Sequence, residues 1–264
     1  MKIALAQTSV RQAAFDENLE NAAAAAKAAK AGGAELVVFP EMFLGGFSYP
    51  ANKLALDRGR NFEGDVARMA RDAGIFVAGS VPARAERSDL PANRMLLANP
   101  DGGIEMRYDK IHLFGVFNED KYVAGGEGLS VGDTPLGRMG LSVCYDLRFP
   151  EMFVQMALRD ARLVILSAAW PHPRMAHFRT LARARAIEMQ GFFVCVNQAG
   201  PEDFGAKRIL YGGESCAVDP WGETLCECRP DEPDLAFCEI DYRKAAEARA
   251  RIPALDDRKP HFYR

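Results

Sequence analysis

A chain of 264 residues with 48% apolar and 26% charged side chains has the composition of a folded globular protein, which excludes disordered, collagenous and coiled-coil classes. Its 33 Lys and Arg against 36 Asp and Glu leave a net charge of -3; no global field attracts polyanions, and nucleic acid is not an expected partner. No stretch approaches the length of a membrane span, and the opening run Met1–Gln7 is too short for a signal peptide, so the expectation is a cytoplasmic protein without a membrane partner.

Lys2–Gln7 reads as a buried strand. Asp16 is positioned to cap a helix that carries Ala22–Ala26 and ends at Gly32-Gly33. Glu35–Phe39 is a second buried strand, stopped by Pro40, and strand, helix, strand is the βαβ pattern. Helical Gly64–Ala73 leads into strand Ile75–Gly79, and Met95–Ala98 and Ile104–Tyr108 flank the turn cluster Asn99-Pro100-Asp101-Gly102-Gly103 as a hairpin. The alternation repeats through strand Met139–Val143, helix Glu151–Arg159, strand Leu163–Leu166, a helix from about Arg174 to Gln190, strand Phe192–Asn197 and a β-rich stretch from Gly213 to Ile240. No linker divides the chain, so residues 1–264 form one α/β domain with mixed sheets. The segment 245–264, with Pro253 and Pro260, reads as an extended C-terminal tail packing at a subunit interface.

Six cysteines, all in the second half, lie mostly in strand-like runs and read as reduced thiols. Cys226-Glu227-Cys228 has too few neighbouring ligands for tetrahedral zinc, so no metal is expected. Cys144 differs from the others, because an apolar strand runs straight into it and a polar turn and a helix near Pro150 follow. A thiol there sits at the carboxyl end of a strand, where open α/β sheets place their sites, beside amide N–H groups that favour thiolate. Cys144 is therefore a candidate nucleophile, which needs a base and an oxyanion stabiliser. Val37-Val38-Phe39-Pro40 delivers Glu41 just past a strand, where partial burial would raise its pKa towards the operating pH. Arg107-Tyr108-Asp109 delivers Lys110 among apolar neighbours, where a cation can polarise a carbonyl. Gly128-Leu129-Ser130-Val131-Gly132 matches the serine-hydrolase G-x-S-x-G pattern, but the Asp133-Thr134-Pro135-Leu136-Gly137 that follows breaks the helix the motif requires. His112 has the spacing to share a strand face with Lys110, as the base of a Cys–His dyad or as a structural hydrogen-bonding group.

Val38-Phe39-Pro40-Glu41, Tyr108-Asp109-Lys110-Ile111-His112-Leu113-Phe114 and Cys144-Tyr145-Asp146-Leu147-Arg148-Phe149-Pro150-Glu151 together resemble the three signature segments of the nitrilase superfamily of carbon–nitrogen hydrolases. The Ala-rich first helix, Ala182–Glu188, Asp219-Pro220-Trp221-Gly222 and Arg251–Tyr263 extend the resemblance over nearly the whole chain. It implies a four-layer αββα sandwich that assembles as a homodimer or higher homo-oligomer. It also implies Cys144 as nucleophile, Glu41 as general base and then acid, and Lys110 with the backbone N–H of Tyr145 as oxyanion stabilisers. Glu119, in Phe117-Asn118-Glu119-Asp120, stands where the family often has a second glutamate. The expected partner is a small-molecule amide, hydrolysed through a thioester with release of ammonia and without a cofactor.

The Cys-Tyr-Asp-Leu-Arg-Phe-Pro-Glu segment is most similar to the branch with omega-amidases and deaminated-glutathione amidases, with N-carbamoyl amino acid hydrolysis as the alternative. Trp170 is expected to form a wall of the substrate site, with Arg174 or Arg148 reaching a substrate carboxylate. Arg148 has a competing structural role as a partner of Asp146 or Glu151, and Arg179, Arg183 and Arg185 read as a solvated or subunit-facing stripe. Outside hydrolysis, a thiol-redox protein pairing Cys144 with Cys195 or Cys216, or a catalytically silent scaffold, also remains open.

Overall fold

The computed structural model of the protein describes residues 1–204 and 207–262. In chain order the elements are β1 (Lys2–Gln7), α1 (Phe15–Ala31), β2 (Leu36–Val38), α2 (Tyr49–Asp57), α3 (Phe62–Ala73), β3 (Phe76–Arg84), β4 (Pro91–Ala98), β5 (Ile104–Asp109), α4 (Glu119–Tyr122), β6 (Ser130–Thr134) and β7 (Gly137–Val143). They continue through α5 (Pro150–Leu158), β8 (Leu163–Ala168), α6 (Met175–Met189), β9 (Phe192–Asn197), β10 (Ala199–Phe204), β11 (Lys207–Gly212), β12 (Cys216–Val218), β13 (Thr224–Glu227), β14 (Asp234–Glu239) and α7 (Tyr242–Arg251).

Two six-stranded mixed sheets form the centre, in the orders β14-β1-β2-β3-β4-β5 and β13-β12-β9-β8-β7-β6. The period-2 geometry of a strand sorts the first sheet's side chains between two cores. Ile3, Leu5, Leu36, Val38, Met95 and Leu97 join the core shared with the second sheet. Their neighbours Ala4, Ala6, Val37, Leu96 and Ala98 join the core under the first-half helices, with Ala22, Ala26 and Ala29 of α1 and Val66 and Met69 of α3. β8 and β9 are buried at every position, as parallel strands covered on both faces must be. Phe153 of α5 and Phe178 of α6 close that outer side. Helix, sheet, sheet, helix is the four-layer sandwich the resemblance implies.

Three local expectations are corrected. Asp16 does not cap α1: the N-cap is Ala14 and makes no side-chain cap bond, and Asp16, in the first turn, pairs with Arg60. The segment 245–264 is not extended throughout, because residues 245–251 complete α7, whose N-cap Asp241 accepts from the N–H of Arg243 at 3.0 Å. α7 is tied to the rest of the chain by Gln190 Nε2, which donates to the carbonyl of Ile252 at 2.5 Å, and by Arg249, which donates to Asp160 at 2.6 Å. Arg185 is buried, its guanidinium donating to the carbonyl of Leu147 at 3.1 and 2.9 Å and lying over Phe153. It therefore buttresses the turn that begins at Cys144, while Arg179 and Arg183 are exposed.

The topology brings distant segments to one edge. β1, β2 and β3 are parallel, as are β7, β8 and β9, so residues just past β2, β7 and β8 emerge at carboxyl ends, where open sheets form crevices. β4 is antiparallel to β3 and β5, which sets its early residue Asn93 beside the end of β5. The crevice is locked between the sheets: Ser167 Oγ donates to the carbonyl of Phe39 at 2.8 Å, and the N–H of Glu41 to the carbonyl of Ala168 at 3.2 Å. Among the described residues no helix is long and apolar enough to cross a membrane.

Candidate active site

Glu41 follows β2 after Pro40, and its backbone carbonyl is fixed by Gln198 Nε2 at 2.9 Å. Lys110 follows β5, its N–H donating to the carbonyl of Asn93 at 3.0 Å. Lys110 Nζ donates to Glu41 Oε1 at 2.7 Å and to Glu119 Oε2 at 2.8 Å, with all three side chains at 2% exposure. A buried charge of this kind survives only when paired and hydrogen-bonded, and each carboxylate has further donors. Asn93 Nδ2 lies 2.8 Å from Glu41 Oε1 and 3.3 Å from Glu119 Oε1, and the N–H of Phe114 donates to Glu119 Oε2 at 2.7 Å.

Cys144 is the first residue of a 3₁₀ turn directly after β7. Its φ of +44° is uncommon for a side-chain-bearing residue and projects it out of the strand line, a local strain typical of functional turns. The turn is pinned by buried Asp146, which accepts from the N–H of Val143 at 2.8 Å and from the Tyr108 hydroxyl at 2.7 Å. His112 Nδ1 stands 2.7 Å from the same carboxylate and its ring stacks on Phe149. His112 thus serves the turn and does not face the thiol.

Cys144 is half-buried at the wall of a cavity of about 320 Å³ that also meets Glu41, Lys110 and Glu119. Its Sγ stands in the electrostatic reach of the Glu41 carboxylate and of the N–H of Ala169. Desolvation pushes the Cys144 thiol well above its usual range and the Glu41 charge adds to this, while Lys110 and the Ala169 N–H act the other way. The expected stabilisation of thiolate by neighbouring amides is therefore outweighed, and the resting sulfur carries its proton. Burial also raises Glu41, with Lys110 opposing and Glu119 reinforcing. Burial alone would lower Lys110, but Glu41 and Glu119 outweigh it and hold the amine charged. A thiol, a base of raised affinity and a permanent cation suit thiol addition to a polarised carbonyl.

The other expected residues gather here as well. Tyr145, Arg148, Trp170 and Arg174 all line the cavity, and Tyr145 packs against Phe114. Arg148 pairs with neither Asp146 nor Glu151; its guanidinium lies over the Trp170 ring at 4.7 Å and 3.4 Å from His177 Nδ1. Trp170 is held by its Nε1, which donates to the carbonyl of Arg174 at 2.9 Å. The G-x-S-x-G segment enters β6 and turns into β7, so Ser130 has no nucleophile elbow. Cys195 and Cys216 face each other across β9 and β12 inside the core, away from Cys144. No three His, Cys, Asp or Glu among the described residues gather to hold a metal ion.

Asn93, Tyr49 and Tyr211 are parts of the site that the sequence reading misses. Asn93 left one signal, an amide near the start of a strand that, Arg94 aside, is apolar, where asparagine is disfavoured unless bonded. Tyr49 and Tyr211 left none, since each arrives on a segment with no motif.

A carbon-nitrogen hydrolase family model matches residues 2–250. The chain is similar to a 2-oxoglutaramate amidase of Bacillus subtilis (strain 168), 33% identical over 232 residues covering 87% of each protein. It is also similar to the omega-amidase NIT2 of Mus musculus, 31% identical over 99% of this chain and 96% of that protein. Its fold matches an amidase from Nesterenkonia sp. AN1 with TM-score 0.86 and 28% identity over 100% of this chain and 98% of that one; that structure is a glutamate-to-glutamine mutant with acrylamide added to its active-site cysteine. On these matches the chain belongs to the carbon-nitrogen hydrolase family of the nitrilase superfamily and is an amidase acting on carbon–nitrogen bonds other than peptide bonds.

Proposed function

We propose that the protein hydrolyses the terminal amide of a small carboxylate-bearing substrate, of the type of a 2-oxo dicarboxylic acid monoamide, through a thioester on Cys144. The observation that carries the carboxylate is the pair of guanidiniums, Arg148 and Arg174, at a cavity whose other walls are largely aromatic or aliphatic, among them Phe47, Phe114, Val116, Trp170 and Ile209. Neither arginine has a carboxylate partner among the described ion pairs, and a guanidinium recognises a carboxylate through paired charge-assisted hydrogen bonds. The volume of about 320 Å³ suits a small substrate.

Glu41 takes the proton of Cys144 as the sulfur bonds to the amide carbon. The oxygen becomes an anion held by Lys110 Nζ and the backbone N–H of Tyr145. The intermediate collapses as the C–N bond breaks, Glu41 delivers its proton to the nitrogen, and ammonia leaves. Glu41 then takes a proton from water, which adds to the thioester carbon. The second collapse breaks the C–S bond, the proton returns to sulfur, and the acid leaves. Glu119 positions Lys110 and balances its charge.

Lys110→Met is expected to lower kcat by a factor on the order of 100 to 1000, as loss of an oxyanion donor does, and to lower the melting temperature because two buried carboxylates lose their cation. Steady-state ammonia release and thermal melts check both; wild-type turnover in the variant contradicts the role. The substrate class is tested with Arg148→Ala and Arg174→Ala on a terminal amide carrying a distal carboxylate and on an uncharged amide of equal length. A charge-assisted contact is worth about 1.5–3 kcal/mol, so kcat/KM for the acidic amide should fall roughly 10- to 100-fold in at least one variant, chiefly through KM, with the uncharged amide little affected. Equal losses on both substrates would refute carboxylate recognition. A carbamoyl substrate would be recognised by release of carbon dioxide together with ammonia.

A further inference from the structure

Behind the cavity wall lies a second carboxyl group that the hydrolytic steps above do not use. Glu202 of β10 is 4% exposed, and neither of its carboxyl oxygens meets a donor at full hydrogen-bond geometry. Its neighbour is the hydroxyl of Tyr211, which belongs to the facing strand β11 and lines the catalytic cavity. The amide of Gln12 is also buried without a partner. Gln12 Oε1 and Glu202 Oε1 each lie 2.9 Å from the point where a Cβ on Gly46 would stand. Gly46, at φ +62°, therefore lets both side chains approach its backbone. A carboxylate with neither oxygen met by a donor is costly in a dry site, whereas a carboxylic acid is neutral and carries its own donor proton.

We propose that Glu202 is a positioning residue of the amidase site, acting as a neutral carboxylic acid that secures Tyr211 at the cavity wall, and that its ionisation weakens the nucleophile. The inference rests on the chemistry of Cys144 and not on the identity of the amide. The titratable groups set against Glu202 are Tyr211 from β11 and Glu41 from the loop after β2, while Gln12 and Gly46 are uncharged. Desolvation, with the Glu41 charge adding and Tyr211 opposing, pushes the Glu202 carboxyl up to about 8. The site already holds two carboxylates against one ammonium. A further negative charge behind Glu41 disfavours the anionic sulfur that addition requires.

The test measures acrylamide addition to Cys144 by intact mass across the pH range, for wild type, Glu202→Gln and Tyr211→Phe. The ratio of the Glu202→Gln rate to the wild-type rate, normalised to its value near pH 6, should rise on the order of threefold or more above about pH 8, since only the wild type gains the extra charge. The Tyr211 hydroxyl stabilises the carboxylate, so Tyr211→Phe should move the wild-type transition to higher pH. A ratio that stays flat with pH, or a transition that Tyr211→Phe leaves in place, overturns the proposal.

Stability gives a reading independent of turnover. A carboxyl whose pKa is higher folded than unfolded costs stability as pH rises from its unfolded to its folded value. The melting-temperature advantage of Glu202→Gln should therefore widen between about pH 5 and pH 8 and then level; a constant gap refutes the buried acid. An enzyme without ammonia release would defeat the amidase reading but leave this melting comparison intact.

Discussion

Cys144→Ala is expected to abolish turnover, with residual ammonia release at least on the order of 10⁴-fold below wild type, while the protein stays folded. The magnitude follows from what remains when a covalent nucleophile is removed: oxyanion donors and binding continue to act, but no intermediate forms. The fold should tolerate the change because Cys144 is half-buried at a cavity wall and not packed inside the sheets. The turn that carries it is held by Asp146 and by Arg185 on the carbonyl of Leu147, neither of which touches the sulfur. Ammonia release alongside a thermal melt separates loss of chemistry from loss of structure. Substantial turnover in the variant would move the nucleophile elsewhere.

Glu41→Gln should come second in size. One carboxylate serves four proton movements, and a positioned general acid or base commonly contributes on the order of 10² to 10⁴ in rate. Acylation and deacylation should both fail, so neither free ammonia nor an accumulated thioester is expected. The effect on stability should have the opposite sign. Burial raises the Glu41 carboxyl, which means that its charge costs stability as pH rises through the folded-state value. Glutamine removes that cost, keeps an acceptor for Lys110, and leaves Lys110 matched by Glu119. The variant should melt no lower than wild type near pH 8 while being nearly inactive, a trade of stability for function that active sites often make. A variant that is both less stable and merely slowed would contradict the placement of Glu41 as the buried base.

Glu41, Lys110 and Cys144 are legible because Lys110 and Cys144 directly follow a strand, Glu41 comes three residues past one, and each sits in a recognisable segment. Strand ends are local features, and an apolar run followed by an ionisable residue marks them. Glu119 was legible only through the resemblance, as its own stretch is a loop acid without periodicity. Asn93 and Tyr211 were hidden because their positions depend on cross-strand register: Asn93 reaches the site since β4 returns antiparallel beside β5, and Tyr211 since it faces Gly200 across a hairpin. Those two strands, β10 and β11, lack the strict alternation that reveals a half-buried strand. α7 is legible in Asp241 and four alanines within ten residues, which favour a capped helix, whereas Pro253 bears only on where that helix stops. Arg185 is hidden for another reason: charge suggests a solvated face, whereas the carbonyl of Leu147, the carboxylate of Glu188 and the ring of Phe153 together satisfy the guanidinium where it is buried.

Rapid acid quench of wild-type protein during turnover of a carboxylate-bearing amide, followed by intact-mass and peptide analysis, tests the covalent mechanism most directly. The account predicts a mass gain equal to the acyl group of the amide, confined to the peptide containing Cys144, formed with release of one ammonia per site and lost on treatment with hydroxylamine. Ammonia release with the peptide unmodified at every quench time, or an acyl group carried by another residue, would contradict it.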